Sequence, residues 1–293
     1  MGIPRLTPEE QIDKIIELAL AEDLGQGDVT SEILIPLDLV GKAYILVKEE
    51  GVIAGLEVAE KVFRHVDPTL KVEILIKDGA KVKAGDIVAN VSGAVISILE
   101  AERTAINFVQ KLSGVATATS KYVAQVQGLK TNIVDTRKTT PGMRLLEKYA
   151  VRMGGGKNHR LHLGDGILIK DNHLVALRAL GLSLKEIVAK AKKNAPKGIR
   201  VEVEATSLQE ALDAAGAGAD MILLDNMPPE EMKRVVSMLP RHVKTEASGG
   251  ITLENVRAAA LSGVDVISVG ALTHSTKALN VSLELESQTL KLL

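Results

Sequence analysis

The chain has 293 residues, 46% of them hydrophobic, and a formal net charge of -1. That is ample for one large or two ordinary domains, and too little positive charge for a general nucleic-acid or anionic-membrane binder. The absence of cysteine excludes disulfides, thiolate zinc sites and a cysteine nucleophile, and 2% aromatic content leaves few platforms for stacking bases. The opening MGIPRLTPEE turns acidic at once without an apolar leader core, and no stretch reaches the length of a membrane span. A cytoplasmic protein is expected.

In chain order, Thr7, Pro8 and Glu10 give a capping box with proline at the first helical position, followed by Ile12, Ile15, Ile16, Ala19 and Leu20 at helical spacing. Short apolar runs at 43–47, 72–76 and 94–99 read as strands, with a helix over 56–66 between the first two. Asp78-Gly79 and Ala84-Gly85-Asp86 are turn signals. A helical pattern then runs over 99–127, interrupted at Ser113-Gly114. Residues 1–108 are expected to form a small α/β domain, and 109–274 a second one.

In the second region strand-like runs alternate with amphipathic helices: TNIVD, ILIK, RVEVE, MILLD, VKTEA and VISVG. Ser183 with Glu186 and Ser207 with Glu210 form capping boxes, and Thr252 is expected to cap a later helix. Such alternation implies a parallel α/β sheet with right-handed crossovers, open or closed into a barrel; these six strands fall short of the roughly eight of a closed one. The tail, 275–293, reads as a helix or a strand and helix that returns to the first domain.

Ligands of such sheets bind at the carboxyl ends of the strands. Here those ends carry Thr136-Arg137-Lys138, Lys170, Glu204, Asp225, Ser248-Gly249-Gly250 and Gly270. One polar strand end is an ordinary turn; charges on four ends plus two glycine loops favour a site. Arg144, Lys148 and Arg152, at i, i+4 and i+8 on a helix, are expected to form a solvated face. Arg137, Lys138, His159, Arg160 and Lys170 lie at strand ends or just past Gly154-Gly155-Gly156, so a polyanionic substrate is expected. SGGIT before a helix, together with Gly270-Ala271, matches a phosphate site. Glu204 and Asp225 are either salt-bridged strand-end carboxylates or holders of ribose hydroxyls and, with water, Mg²⁺; spacing alone does not decide. His159, His162 and His173 match no zinc motif, and Walker A, Rossmann and nucleophile-elbow patterns are absent.

The segments ERTAINFVQKLSGVAT, DTRKTTPGMRLLEKYAV, GGGKNHRLHLGDGILIKDNH, VEVEATSLQEA, ILLDNM and EASGGIT together resemble quinolinate phosphoribosyltransferases, from residue 22 almost to the end. The resemblance implies a small N-terminal α/β sandwich domain and an incomplete, open α/β barrel of six or seven parallel strands. It implies a homodimer with shared active sites, in which Arg103 reaches into the partner's site. Arg137, Lys138, Thr139, His159, Arg160 and Lys170 would then line the quinolinate and phosphate pocket. Glu204 and Asp225 would serve the ribose and Mg²⁺, and Ser248, Gly249, Gly250, Gly270 and Ala271 would bind the 5′-phosphate. Lys138, Lys170, Glu204 and Asp225 carry the chemistry in this reading, and the implied substrates are quinolinate and phosphoribosyl pyrophosphate. A paralogue with another acceptor should lack some of Arg103, Arg137, Arg160 and Lys170, and a non-catalytic binder should lack Glu204 or Asp225; all are present.

Overall fold

A computed structural model describes residues 6–292. Residues 1–5, on which the absence of a leader was partly read, and Leu293, the end of the tail, lie outside the described residues. The chain forms two compact units, one of residues 6–120, 139–155 and 273–292, the other of 121–138 and 156–272.

The first unit opens with α1 (Pro8–Leu24), held by the expected box: Thr7 Oγ1 accepts from Glu10 N at 3.2 Å and the Glu10 carboxylate accepts from Thr7 N at 2.6 Å. Then come α2 (Val29–Leu34), β1 (Leu39–Val47), β2 (Gly51–Val52), α3 (Leu56–Val66), β3 (Lys71–Ile74), β4 (Lys81–Val82), β5 (Ile87–Ala94) and the long α4 (Val95–Gln125). The tail supplies β12 (Val281–Leu285), a 3₁₀ turn and β13 (Lys291–Leu292), not a helix. An antiparallel sheet runs β12-β1-β5-β3, with β13 also on β1.

Two expectations here need correction. The run at 94–99 is no strand: β5 ends at Ala94 and α4 begins at Val95. Buried Val95, Ile98, Ala101 and Ala105 continue at helical spacing, a stripe that a six-residue window cannot distinguish from a buried strand. Nor does the helix break at Ser113-Gly114. Ser113 Oγ accepts from Ala54 N at 2.9 Å and donates to Ala54 O at 3.1 Å, and a Cβ on Gly114 would lie 2.3 Å from the Lys277 carbonyl. The small residues mark close packing, and the expected boundary at 108/109 falls inside this one helix.

α5 (Arg144–Met153) also belongs to the first unit. Its expected solvated face holds only in part, because Lys148 is 1% exposed and Glu147 0%. Glu147 accepts from Thr140 N at 3.0 Å and Thr140 Oγ1 at 2.7 Å, and pairs with Lys111 at 3.2 Å. Burial of this face overrides the preference of charged residues for water. Arg152 remains exposed, over the Tyr149 ring.

The second unit holds β6 (Asn132–Val134), β7 (Ile167–Ile169), β8 (Val201–Ala205), β9 (Met221–Asp225), β10 (Lys244–Ser248) and β11 (Val266–Ser268). All pair in parallel, in the order β6-β11-β10-β9-β8-β7. That is the neighbour order of an α/β ring opened between its first and second strands, as expected for an incomplete barrel. The helices α6 (Asp171–Arg178), α7 (Leu184–Asn194), α8 (Leu208–Gly216), α9 (Pro229–Met238), α10 (Val256–Leu261) and α11 (Ala271–His274) follow the strands in turn. Ser183 and Glu186 form their box. Ser207 caps α8 through its hydroxyl alone, because the Glu210 carboxylate bonds Thr206 instead. Thr252 is not the cap of α10: that position is Asn255, whose side chain turns back to accept from Thr252 N at 2.8 Å.

Register decides what faces where. Leu168 pairs Glu202, Glu204 pairs Leu223, Leu223 pairs Glu246 and Ser248 pairs Asp225. Paired residues share a face and alternate residues along a strand return to it. One face thus carries Glu202, Glu204, Asp225, Glu246 and Ser248. The other carries Val201, Val203, Ile222, Leu224, Ala247 and Ile267, all buried, with α7, α8 and α10 against these strands. Apolar burial on the helix side leaves the inner face free to be polar.

Candidate active site

The carboxyl ends of the six strands gather the expected residues of the second unit on one edge. Lys170 follows β7, and its Nζ lies 3.5 Å from Glu204 Oε2 on β8. Asp225 ends β9, and its Oδ2 accepts from Asn226 Nδ2 at 2.9 Å. Among the described residues Asn226 is the sole non-glycine with positive φ, at 53°, and its N–H reaches Ser248 O at 2.9 Å, tying the ends of β9 and β10 together. Ser248 Oγ accepts from Ser268 Oγ at 3.0 Å. Gly249 and Gly250 have φ of 84° and 61°, a region that favours glycine, and a Cβ on Gly249 would meet Asn226 Oδ1 at 2.4 Å. Gly270 and Ala271 close the edge after β11, where α11 begins. The helix after SGGIT, α10, has only six residues, so the loop glycines and not a long helix dipole are what this segment offers an anion.

Arg137 and Lys138 follow β6, and Lys138 N donates to Thr136 Oγ1 at 3.0 Å. His159 and Arg160 arrive by a different route. Lys157 adds to the outer edge of β6 through a parallel bridge with Val134, and Asp135, fully buried, accepts His159 N–H at 2.8 Å and also bonds the Asn158 side chain. The glycines before this segment have structural work. Gly154 ends α5, a Cβ there would lie 2.3 Å from the Ala116 carbonyl, and Gly155 takes a φ of 85°.

The His159 ring points to two buried carboxylates that strand-end reasoning passed over. Its Nε2 lies 3.0 Å from Glu246 Oε2 and 3.5 Å from Glu202 Oε2, and these residues are only 2% and 6% exposed. Burial opposes charge on the ring, while hydrogen bonds and attraction from both carboxylates favour it. Burial also raises the Glu202 pKa, against the pull of His159. Arg160 N donates to His159 Nδ1 at 2.8 Å, and the hydrogen-bond network therefore assigns Nδ1 as acceptor and Nε2 as N–H. That bond favours the neutral ring over the imidazolium. Arg160 is fixed in turn by Nη1 donating to Gly166 O at 3.0 Å. Burial lowers its pKa; Glu202 and Glu246 oppose this, and the like charge of Arg137 adds to it. The guanidinium remains charged.

His162 and His173 are local: His162 Nδ1 accepts from Gly164 N at 3.1 Å and His173 Nδ1 from Lys170 N at 3.0 Å. The missed acids had a signal. Glu202 and Glu246 stand two residues before Glu204 and Ser248, so period-two alternation puts them on the same face, one layer deeper. The structure does not bring all candidates into the second unit. Thr139 lies in the first, where its Oγ1 accepts from Arg144 Nε at 3.0 Å. Arg103 is also there, on α4, exposed, with its Nη2 3.9 Å from Glu102.

Comparison with known proteins agrees with this architecture. Residues 28–113 match the N-terminal domain model of quinolinate phosphoribosyl transferase and residues 115–284 its C-terminal domain model. A probable nicotinate-nucleotide pyrophosphorylase [carboxylating] of Bacillus subtilis is 41% identical over 94% of this chain and 93% of its own length. The chloroplastic nicotinate-nucleotide pyrophosphorylase [carboxylating] of Arabidopsis thaliana is 43% identical over 98% of this chain and 87% of its own length. The solved nicotinate-nucleotide pyrophosphorylase of Francisella tularensis superposes with a TM-score of 0.88 at 40% identity, over 96% of this chain and 98% of that one. With the two domain models matching residues 28–113 and 115–284 and relatives at this identity over most of their length, the chain belongs to the quinolinate phosphoribosyltransferase family.

Proposed function

We infer that the protein transfers the phosphoribosyl group of phosphoribosyl pyrophosphate to quinolinate, releasing pyrophosphate and CO₂ and giving nicotinate mononucleotide in de novo NAD biosynthesis. The observation that carries this reading is the strand-end edge of a family member, where Arg137 and Lys138 follow β6, Lys170 follows β7 with its Nζ 3.5 Å from Glu204, and Asp225 ends β9. Quinolinate has two carboxylates and the other substrate is a polyanion, so they repel each other in water. Lys and Arg side chains offset that repulsion and aim the ring nitrogen at the anomeric carbon. As pyrophosphate leaves, positive charge develops at that carbon, and Glu204 and Asp225 stabilise it. The alkylated ring nitrogen is then an electron sink. The neighbouring carboxylate departs as CO₂, its bonding pair stays on the ring carbon, and that carbon takes a proton.

Glu204 and Asp225 fit Mg²⁺ in kind: both offer carboxylate oxygens, and both lie on the inner face of adjacent strands. When bound, the metal would neutralise charge on the departing pyrophosphate. Ser248, Gly249, Gly250, Gly270 and Ala271 are the proposed seat of the 5′-phosphate. A homodimer with Arg103 acting across it, and a cytoplasmic location, are parts of the same proposal. Among the described residues no helix is long and apolar enough to cross a membrane.

The test is an assay of the full chain with quinolinate, phosphoribosyl pyrophosphate and Mg²⁺, read as nicotinate mononucleotide and CO₂. Nicotinate, with one carboxylate, leaves a cation unpaired. Loss of one partner from a buried ion pair costs on the order of 3 kcal/mol, so kcat/KM should fall by about 100-fold or more. Comparable kcat/KM for the two acids would overturn the reading.

A further inference from the structure

Both ring nitrogens of His159 are engaged inside the protein. Nε2 faces Glu246 at 3.0 Å and Glu202 at 3.5 Å, and Nδ1 takes the Arg160 amide at 2.8 Å. An imidazole so used has no ring nitrogen left for a substrate carboxylate. It does connect two places: the inner layer of β8 and β10, and the backbone of Arg160. Asp135 holds the His159 backbone from the other side, and Gly166 O receives the Arg160 guanidinium. We propose that Glu246, with Glu202 beside it, is a positioning residue that anchors His159 as a strut, so that the imidazole sets Arg160 for quinolinate and does not bind the substrate itself. The role given to Arg160 rests on the function proposed above; the strut rests on the geometry alone.

The experiment uses the full chain with histidine nitrogens labelled, as wild type, Glu246→Leu and Glu246→Gln. Leucine fills a similar buried volume but cannot accept from Nε2–H, whereas the glutamine amide oxygen can. In the wild type the His159 ring should show one N–H nitrogen and one acceptor nitrogen, and this pattern should persist when quinolinate is added. Glu246→Leu should lose the pattern and raise KM for quinolinate at least about tenfold, with KM for phosphoribosyl pyrophosphate within about twofold, at an unchanged Tm. Glu246→Gln should recover most of the loss. Ring signals that move on adding quinolinate would make His159 a direct ligand and overturn the proposal. So would equal behaviour of the Leu and Gln variants, or losses toward both substrates in step with Tm. Should Glu246→Leu not fold, the wild-type titration and Glu246→Gln still decide. If the wild type neither binds nor converts quinolinate, the functional reading fails, while the ring pattern in wild type and variant still tests the strut.

Discussion

At the end of β10 two neighbouring glycines answer differently to a single methyl group. Both have positive φ, so alanine at either costs about 1–2 kcal/mol in backbone strain. Only Gly249 adds a collision, at 2.4 Å from Asn226 Oδ1, whereas Gly250 would meet the same atom at an ordinary 3.6 Å. Gly249→Ala is therefore expected to lower unfolding free energy more than Gly250→Ala in urea titrations. Asn226→Gly should bring the Gly249 variant back to the level of the Gly250 one and leave the latter unaided. Equal losses without rescue would refute the packing argument. Lys138 and Lys170 present the opposite case. Both are exposed, and Lys170 meets Glu204 at 3.5 Å, a pairing of little weight for stability. Replacing either with Ala should remove most activity at constant Tm; activity lost only in step with Tm would make the lysines structural. The lysines were legible in the sequence because they sit at strand ends. Glu202 and Glu246 were not, because alternation shows that they share a face with Glu204 and Ser248 but not that this face is the inner one. The curvature of the whole sheet decides that.

Among elements, α3 shows how a correct local reading can stop short. Its span, 56–66, follows from apolar periodicity, and Asp78-Gly79 reads correctly as a turn, with Gly79 at a φ of 90°. What the sequence hides is that the two are one device. Gly55 has no side chain to cap α3, and Asp78 supplies the cap from 22 residues away, accepting from Gly55 N at 2.6 Å and Leu56 N at 3.2 Å. Tyr149 on α5 donates to the same carboxylate at 2.7 Å. Removing the carboxylate strands two helix N–H groups and a phenol. Asp78→Ala should then cost about 2 kcal/mol of unfolding free energy, at the upper end for a cap, and Asp78→Asn less, since its amide keeps one acceptor oxygen. A loss below about 0.5 kcal/mol for Asp78→Ala would show that water satisfies these groups. The same limit explains α4, where Ser113-Gly114 looks like a break until the Ala54 amide and the Lys277 carbonyl that need small neighbours are in place.

For the molecule as a whole, Arg103 decides whether one chain makes one site. Arg103 stands on α4 of the first unit, and it pairs with the adjacent Glu102, at 3.9 Å, not with the i, i+3 partner that a helical ion pair would use. An exposed pair at that distance contributes between nothing and about 1 kcal/mol, so the fold does not require this arginine. The family reading gives it a purpose in a partner's site, and subunit exchange separates the possibilities. Arg103→Ala and Lys170→Ala proteins are each expected to be inactive. If Arg103 acts in trans, a mixed dimer has one site with both defects and one with neither. Activity should then return on mixing, at about half the wild-type rate per mixed dimer by two-fold symmetry. If Arg103 serves its own chain, every site keeps one defect and mixing restores nothing. An Arg103→Ala protein that is fully active alone would remove the residue from the chemistry altogether. Tm should be unchanged in both variants, because neither side chain is buried, so silence on mixing cannot be blamed on unfolding.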